Sequence, residues 1–412
     1  MKKILFISPT GTFDNGAEIS IFSLMKYLVN LGDEVYAVAP QHFRPAQTDY
    51  FNLCREAGIY VHFIPSLKWW WEDAPGGLAG THEERIYFYK KNILDIQQFI
   101  QTKSIDLVIT NTVNIFQGAV AAAIENVPHY WLIHEFPKNE FAYYLSKTKF
   151  IDCNSEAIYG VSGELQRELK KMFPNRIVKS FTPYTKLKIA KLKNGDNIRI
   201  VSIGRITKGK NQLELIKAFS LLDGNTKLIF IGDWDSEYKK ECDDWICEHH
   251  VKNIEFIGNR ENPWDLITEK DICVLTSSME TFGLVYVEAL LQGVPVIISD
   301  NLGFKSVYEI FKFGTMYSLG EIEKLSGTIS KYMENFIQIK KESIDFIPKA
   351  LSLYDVASSY KELILDIDNI LPYKKKGISS LNYLLITNKE ENKLKKVLKR
   401  VFRKIKSKTC NL

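Results

Sequence analysis

Two carboxylates and two cations in the second half of the chain have the types and spacing to hold a charged, hydroxyl-rich ligand. Glu280 and Glu288 bracket an apolar segment, TFGLVYV. Eight residues of ideal helix turn through about 800°, which leaves the two ends roughly 80° apart. One continuous helix would not aim both at the same ligand. A loop carrying Glu280, followed by a helix that starts near Gly283 and carries Glu288 about one turn in, does so. The backbone amides of Phe282, Gly283 and Leu284 are then the unpaired donors of a helix N-terminus, a setting that favours an anion or a bound hydroxyl. Gly283 lets the backbone approach closely. Upstream, Arg205 follows the apolar run IRIVSIG, and Lys210 stands five positions on, where the next helical pattern begins. An arginine fork and a lysine point charge there suit a diphosphate. Each residue alone reads as an ordinary surface charge; the set reads as a site for a phosphate with sugars on both sides.

These residues need a scaffold, and the chain supplies its rhythm. In the first half, KILFIS, EVYAVAP, YVHFIP, DLVIT, HYWLIH and IYGVS alternate with helical patterns. After the polar stretch YTKLKIAKLKNGDN the rhythm restarts with IRIVSIG, KLIFIG, NIEFIG, ICVLT and PVIIS. Near-continuous hydrophobic strands between amphipathic helices call for parallel sheets covered on both faces. The expected fold is therefore α/β, two doubly wound Rossmann-like domains facing a central cleft that holds the ligand at the carboxyl ends of the strands. The boundaries read as 1–182, a linker 183–197, 198–350, a C-terminal helix 351–371 packing back on the first domain, and a basic amphipathic tail 372–412.

Composition narrows the classes. The chain has 412 residues, 45% hydrophobic and 25% charged, the balance of a globular protein of more than one core. The opening apolar run ends at Ser8-Pro9, too short for a secretory signal, and no run approaches a membrane span, so a cytoplasmic protein is expected. Six scattered cysteines read as free thiols of a reducing compartment. The cluster CDDWICEHH lacks the paired spacing of a zinc knuckle and reads as a solvent-facing helix. GDWDSE contains an Asp-x-Asp, which helix N-capping explains without a metal. From Lys389 to Leu412 ten Lys or Arg face two Glu, a charge of +8, which leaves −3 for the remainder. Leu394, Val397, Leu398, Val401, Phe402 and Ile405 put an apolar stripe on that basic stretch, which suits peripheral contact with an anionic membrane on its inner face, or else a solvated terminal helix. Nucleic acid is not expected as a partner, since aromatic-interleaved basic grooves are missing. Trp69, Trp70 and Trp71 read either as exposed acceptor contacts or as a local cluster under a loop.

VSIGRITKGKNQLELIKAF, NIEFIG and VLTSSMETFGLVYVEALLQGVPVIISD resemble, in order and spacing, the retaining GT-B glycosyltransferases of family 4. The resemblance is specific from about Ile198 to Asp300 and weaker before it. It implies a nucleotide-sugar donor, a UDP-sugar ahead of a GDP-sugar, with no obligatory metal or cofactor. It implies contact of Glu280 with the donor sugar, of Glu288 with the ribose, and of Arg205 and Lys210 with the diphosphate. In the first domain, TGTFDNGAEIS is similar to the family's glycine-rich loop, with Gly16 facing the diphosphate and Asn15 where a second glycine is common. HYWLIHEF places His134 where the family has a histidine near the reacting sugar. The implied reaction retains anomeric configuration and passes the sugar to a glycan or lipid-linked oligosaccharide in bacterial surface polysaccharide synthesis. Arg260 and Ser277 are candidates for base or ribose contacts. A nucleotide-sugar epimerase on the same architecture and a catalytically silent binding partner are the competing readings.

Overall fold

A strand that is apolar at consecutive positions presents side chains to both faces of its sheet, so it is stable only where both faces are covered. In a computed structural model, which describes residues 1–70, 74, 76–186, 192–222, 224–260, 262–374 and 385–386, the apolar runs form two such sheets. The first is built from β1 (Lys3–Ile7), β2 (Glu34–Pro40), β3 (Tyr60–Ile64), β4 (Leu107–Asn111), β5 (His129–Ile133), β6 (Ala157–Val161) and β7 (Val178–Phe181). Between them run α1 (Gly16–Asn30), α2 (Pro45–Glu56), α3 (His82–Lys103), α4 (Gln117–Glu125), α5 (Thr148–Cys153) and α6 (Glu164–Met172). Strand order is β3-β2-β1-β4-β5-β6-β7, with parallel register from β3 through β6.

The second sheet contains β8 (Arg199–Ile203), β9 (Lys227–Ile231), β10 (Ile254–Phe256), β11 (Asp271–Leu275), β12 (Val296–Ser299) and β13 (Thr315–Tyr317) in the order β10-β9-β8-β11-β12-β13, all parallel. Its helices are α7 (Gln212–Phe219), α8 (Ser236–Glu248), α9 (Leu284–Leu291), α10 (Leu302–Phe311), α11 (Ile322–Glu334), α12 (Phe336–Leu353) and the short α13 (Val356–Ser359). Ile200, Leu215, Phe230, Val274 and Ile297 meet in its core. The order of winding reverses between β1 and β4 in one sheet and between β8 and β11 in the other. Such reversals leave a crevice at the carboxyl ends of the strands.

The chain divides into two compact units. One comprises Met1–Gly160, Leu169–Lys179 and the described residues from Glu362 on; the other comprises Val161–Glu168 and the described residues of Ser180–Lys361. The chain thus passes between units four times. Helix α14 (Lys361–Asp368) lies in the first unit almost entirely. Its Asp366 carboxylate accepts from the Tyr159 hydroxyl and from Lys179 Nζ, at 2.7 Å to Oδ1 and 2.5 Å to Oδ2, and its carbonyl from the Tyr130 hydroxyl at 3.1 Å. In the expected linker, Lys193 exchanges backbone bonds with Ile267 and Glu269 of the second unit. The basic amphipathic stretch 389–412 lies outside the described residues, as does Trp71. No described helix is long and apolar enough to cross a membrane.

One open reading is decided and one expectation changes. Trp70 is fully buried and stacks on Phe116 at 4.6 Å, so it packs beneath its loop, while Trp69 is half-buried. CDDWICE does lie in a helix, α8, which ends before the two histidines, but Cys242 packs in the core of the second unit, which removes it from solvent.

Candidate functional site

In the second unit, both loops at the β8/β11 reversal are tied to each other. After β8, the turn 204–211 is braced by Gln212, whose side chain accepts from Thr207 N–H at 3.3 Å and donates to the Arg205 carbonyl at 3.1 Å. After β11, Thr276 donates its hydroxyl to the Asn211 carbonyl at 2.9 Å, and Ser278 N–H donates to the Gly209 carbonyl at 2.9 Å. These bonds bring Lys210 against Glu280. The Lys210 ammonium donates to Glu280 Oε1, and Ser277 Oγ donates to the same oxygen at 2.8 Å. Glu280 Oε2 has no protein partner among the described residues. The Arg205 side chain is exposed and makes no hydrogen bond or ion pair among the described residues.

Glu280 lies in a loop and α9 starts one residue after Gly283, the geometry expected from the sequence. Gly283 has φ 89°, in the left-handed region, and a Cβ there would stand 2.4 Å from the Phe304 ring. Gly303, in the first turn of α10, backs directly onto the Glu280 carbonyl, where a Cβ would come within 2.3 Å of the oxygen. The amides of Phe282, Gly283 and Leu284 find no acceptor among the described residues. They form the open, partly positive end of α9. Glu288, inside α9, accepts from the Trp264 indole N–H at 2.9 Å; burial pushes its carboxyl above the usual range while that bond opposes the rise. The Asp-x-Asp pair is spent on backbone: Asp235 caps α8 through Tyr238 N–H at 2.9 Å, and Asp233 accepts from Trp234 N–H.

In the first unit, Gly16 opens α1. Asn15 caps that helix from an extended conformation by accepting from Glu18 N–H at 3.0 Å, so a left-handed second glycine is not needed there. Buried Glu18 gathers the preceding loop: Oε1 accepts from Thr10 N–H, Thr10 Oγ1 and Gly11 N–H at 2.9, 3.0 and 3.1 Å. His134 follows β5 and is 8% exposed, with Nε2 at 2.8 Å from Asn111 Oδ1. The Asn111 amide donates to the Ala17 carbonyl at 3.3 Å, which fixes its oxygen toward the ring and makes Nε2 the protonated nitrogen. Burial pulls His134 down to about 3, so the ring is neutral at ordinary pH. The adjoining Glu135 is buried too and pushed up to about 7; its Oε2 accepts from Val113 N–H and His134 N–H, both at 3.1 Å.

Sequence reasoning missed four residues that shape these loops: Trp264, Glu18, Asn111 and Glu135. Glu135 was signalled by its adjacency to His134 at a strand end, and Glu18 by its place three after an Asn cap. Trp264 and Asn111 act across 24 and 23 residues and gave no local signal.

Two parallel Rossmann-like sheets of this winding define a GT-B architecture, and comparison with known proteins agrees. Residues 184–346 match the family described as glycosyl transferases group 1. HepE of Anabaena, solved with UDP and glucose, superposes with a TM-score of 0.72 at 18% identity, over 90% of this chain and 100% of that one. Lipopolysaccharide 1,6-galactosyltransferase of Escherichia coli K12 is 30% identical over 159 residues, 36% of this chain and 44% of the relative. The capsular polysaccharide biosynthesis glycosyltransferase CapM of Staphylococcus aureus is 27% identical over 143 residues, 34% of this chain and 38% of the relative. The chain spans less than half the length of these two relatives.

Proposed function

We propose that this chain is a glycosyltransferase of bacterial polysaccharide synthesis that moves a sugar from a nucleotide donor to a glycan or lipid-linked acceptor. The observation that carries this reading is the arrangement at the β8/β11 reversal. Lys210 and Ser277 converge on one oxygen of Glu280, the other oxygen stays open, and the unengaged Arg205 and the free amides of α9 belong to the same reversal. Breaking the bond from the anomeric carbon to phosphate builds negative charge on the departing diphosphate. Arg205, Lys210 and the helix amides stabilise that charge, and the amides, fixed at the start of α9, need no reorganisation as it develops. Glu280 Oε2 accepts from a sugar hydroxyl, and the open oxygen of Glu288 from the ribose. A donor of the UDP-sugar type is favoured by the UDP and glucose bound to HepE, and retention of configuration by the family resemblance. His134 stands near the reacting sugar as a neutral ring held by Asn111, and Gly16 N–H acts as a phosphate contact. The basic stretch 389–412 serves as an attachment to anionic membrane.

Thermal melting with UDP, GDP, dTDP and their sugar conjugates, with and without EDTA, tests the reading. A ligand that binds only the folded chain raises stability by RT ln(1 + [L]/Kd). The expected result is a shift with UDP or its conjugates that survives chelation and shrinks in Arg205→Ala. Unmoved melting at millimolar nucleotide would overturn the donor site and leave the silent binding partner standing. Release of an altered nucleotide-sugar without acceptor would favour the epimerase.

A further inference from the structure

Beside Arg205 the second unit carries an aromatic surface that the reading above leaves unused. β8 and β9 are followed by Gly204 and Gly232, which touch: a Cβ on Gly232 would stand 2.2 Å from the Gly204 carbonyl oxygen. From there the two chains leave the sheet as a pair. Ile206 N–H donates to the Asp233 carbonyl at 2.7 Å, and Asp235 N–H donates to the Ile206 carbonyl at 2.9 Å. Trp234 is therefore held opposite the residue that follows Arg205, at the carboxyl end of the same sheet.

Of the described tryptophans Trp234 is the exposed one, with 39% of its surface accessible; Trp69 and Trp245 are half-buried, and Trp70, Trp131 and Trp264 are buried. Its indole lies against Gly258, just past β10, where a Cβ would come to 3.7 Å from the ring. Gly258 is itself fixed, since its carbonyl accepts from Gly232 N–H at 3.0 Å. The Lys239 ammonium stands 5.8 Å from the Trp234 ring centre and 3.9 Å from that of Phe256, and Asp243 holds it at 2.5 and 2.6 Å. A large ring braced by strand ends, a glycine and a tethered cation is a rigid, amphipathic surface. Such a surface loses little conformational entropy when a flat partner covers it.

We propose that Trp234 is the platform on which the nucleobase of the donor stacks. This rests on the reading of the second unit as a nucleotide site and adds a residue that the phosphate and hydroxyl contacts do not supply. Every base has a π-face, so the platform contributes affinity for nucleoside diphosphates as a class. The test uses the full chain as wild type, Trp234→Ala and Trp234→Phe, with UDP, GDP and pyrophosphate as ligands, followed by calorimetry and tryptophan fluorescence. Trp234→Ala weakens UDP and GDP on the order of tenfold or more and leaves pyrophosphate unchanged. Trp234→Phe keeps most of the nucleotide affinity and loses the fluorescence quench that UDP causes in the wild type. Equal binding of UDP by Trp234→Ala and wild type would overturn the inference, as would an equal weakening of pyrophosphate, which marks loop support alone. A wild-type chain that binds no nucleoside diphosphate removes the donor-site reading and the platform together.

Discussion

His134 and Glu135 are neighbours with opposite responses to pH. Glu135 is held near 7 against an ordinary 4.5, so between these values the unfolded chain releases a proton that the folded chain keeps. Its contribution to stability is complete below 4.5, falls as pH rises, and is lost above about 7. His134, held near 3 against 6.5, binds a proton only when unfolded in that window, so its contribution is complete above 6.5 and lost as pH falls toward 3. Unfolding free energies across pH are expected to show Glu135→Gln flattening the decline between pH 4.5 and about 7, by at most about 3 kcal/mol, and His134→Asn flattening the loss below 6.5. A wild-type profile that both variants merely displace in parallel would refute this. Lys210 and Glu280 form an ion pair that water reaches, with side chains 33% and 15% exposed. Lys210→Ala is expected to change stability by less than about 1 kcal/mol while lowering kcat/KM by about 100-fold or more. Comparable losses in both quantities would mean that the pair serves the fold.

At the scale of elements, two closely packed loops and the first turn of α10 set the position of Glu280. Adding one methyl at Gly303 puts a Cβ into the Glu280 carbonyl, whereas Gly327, inside α11, has nothing within 4 Å of its added Cβ. Gly303→Ala is expected to weaken donor binding by about tenfold or more. Gly327→Ala should leave binding intact and add up to about 1 kcal/mol of stability. Equal donor affinity in the two variants, measured by calorimetry, would show that α10 does not hold the loop. The central strands were legible in the sequence because burial on both faces demands unbroken apolar runs such as KILFI and DICVL. β7 and β13 were not, since the short edge strands VKSF and TMY mix polar or half-buried positions into three or four residues. The start of α9 was legible because a glycine and a carboxylate meet at one strand end. The bond from Trp264 to Glu288 was not, because only the folded sheet brings the connection between β10 and β11 against α9. The helical pattern YDVASSYKELILDIDNIL breaks at Tyr360, whose ring is buried against Phe181, so α13 and α14 are separate.

At the scale of the whole molecule, the first unit depends on residues from the far end of the chain. Asp366 accepts from Tyr159 and Lys179, groups more than 180 positions earlier. Asp366→Ala leaves a buried hydroxyl and an ammonium without their acceptor and is expected to cost about 3 kcal/mol in urea unfolding. An unchanged midpoint would show that α14 rests on its apolar face alone. Four crossings between units also bear on how such chains recombine. An exchange of genes at one point near residue 182 would pair the first sheet with a foreign helix, since a first half from one parent would take its closing α14 from the other. Donor preference is therefore expected to pass between relatives as an internal cassette with two well-chosen seams, one before β8 and one before Glu362. A single splice would inherit the sheet and forfeit its latch.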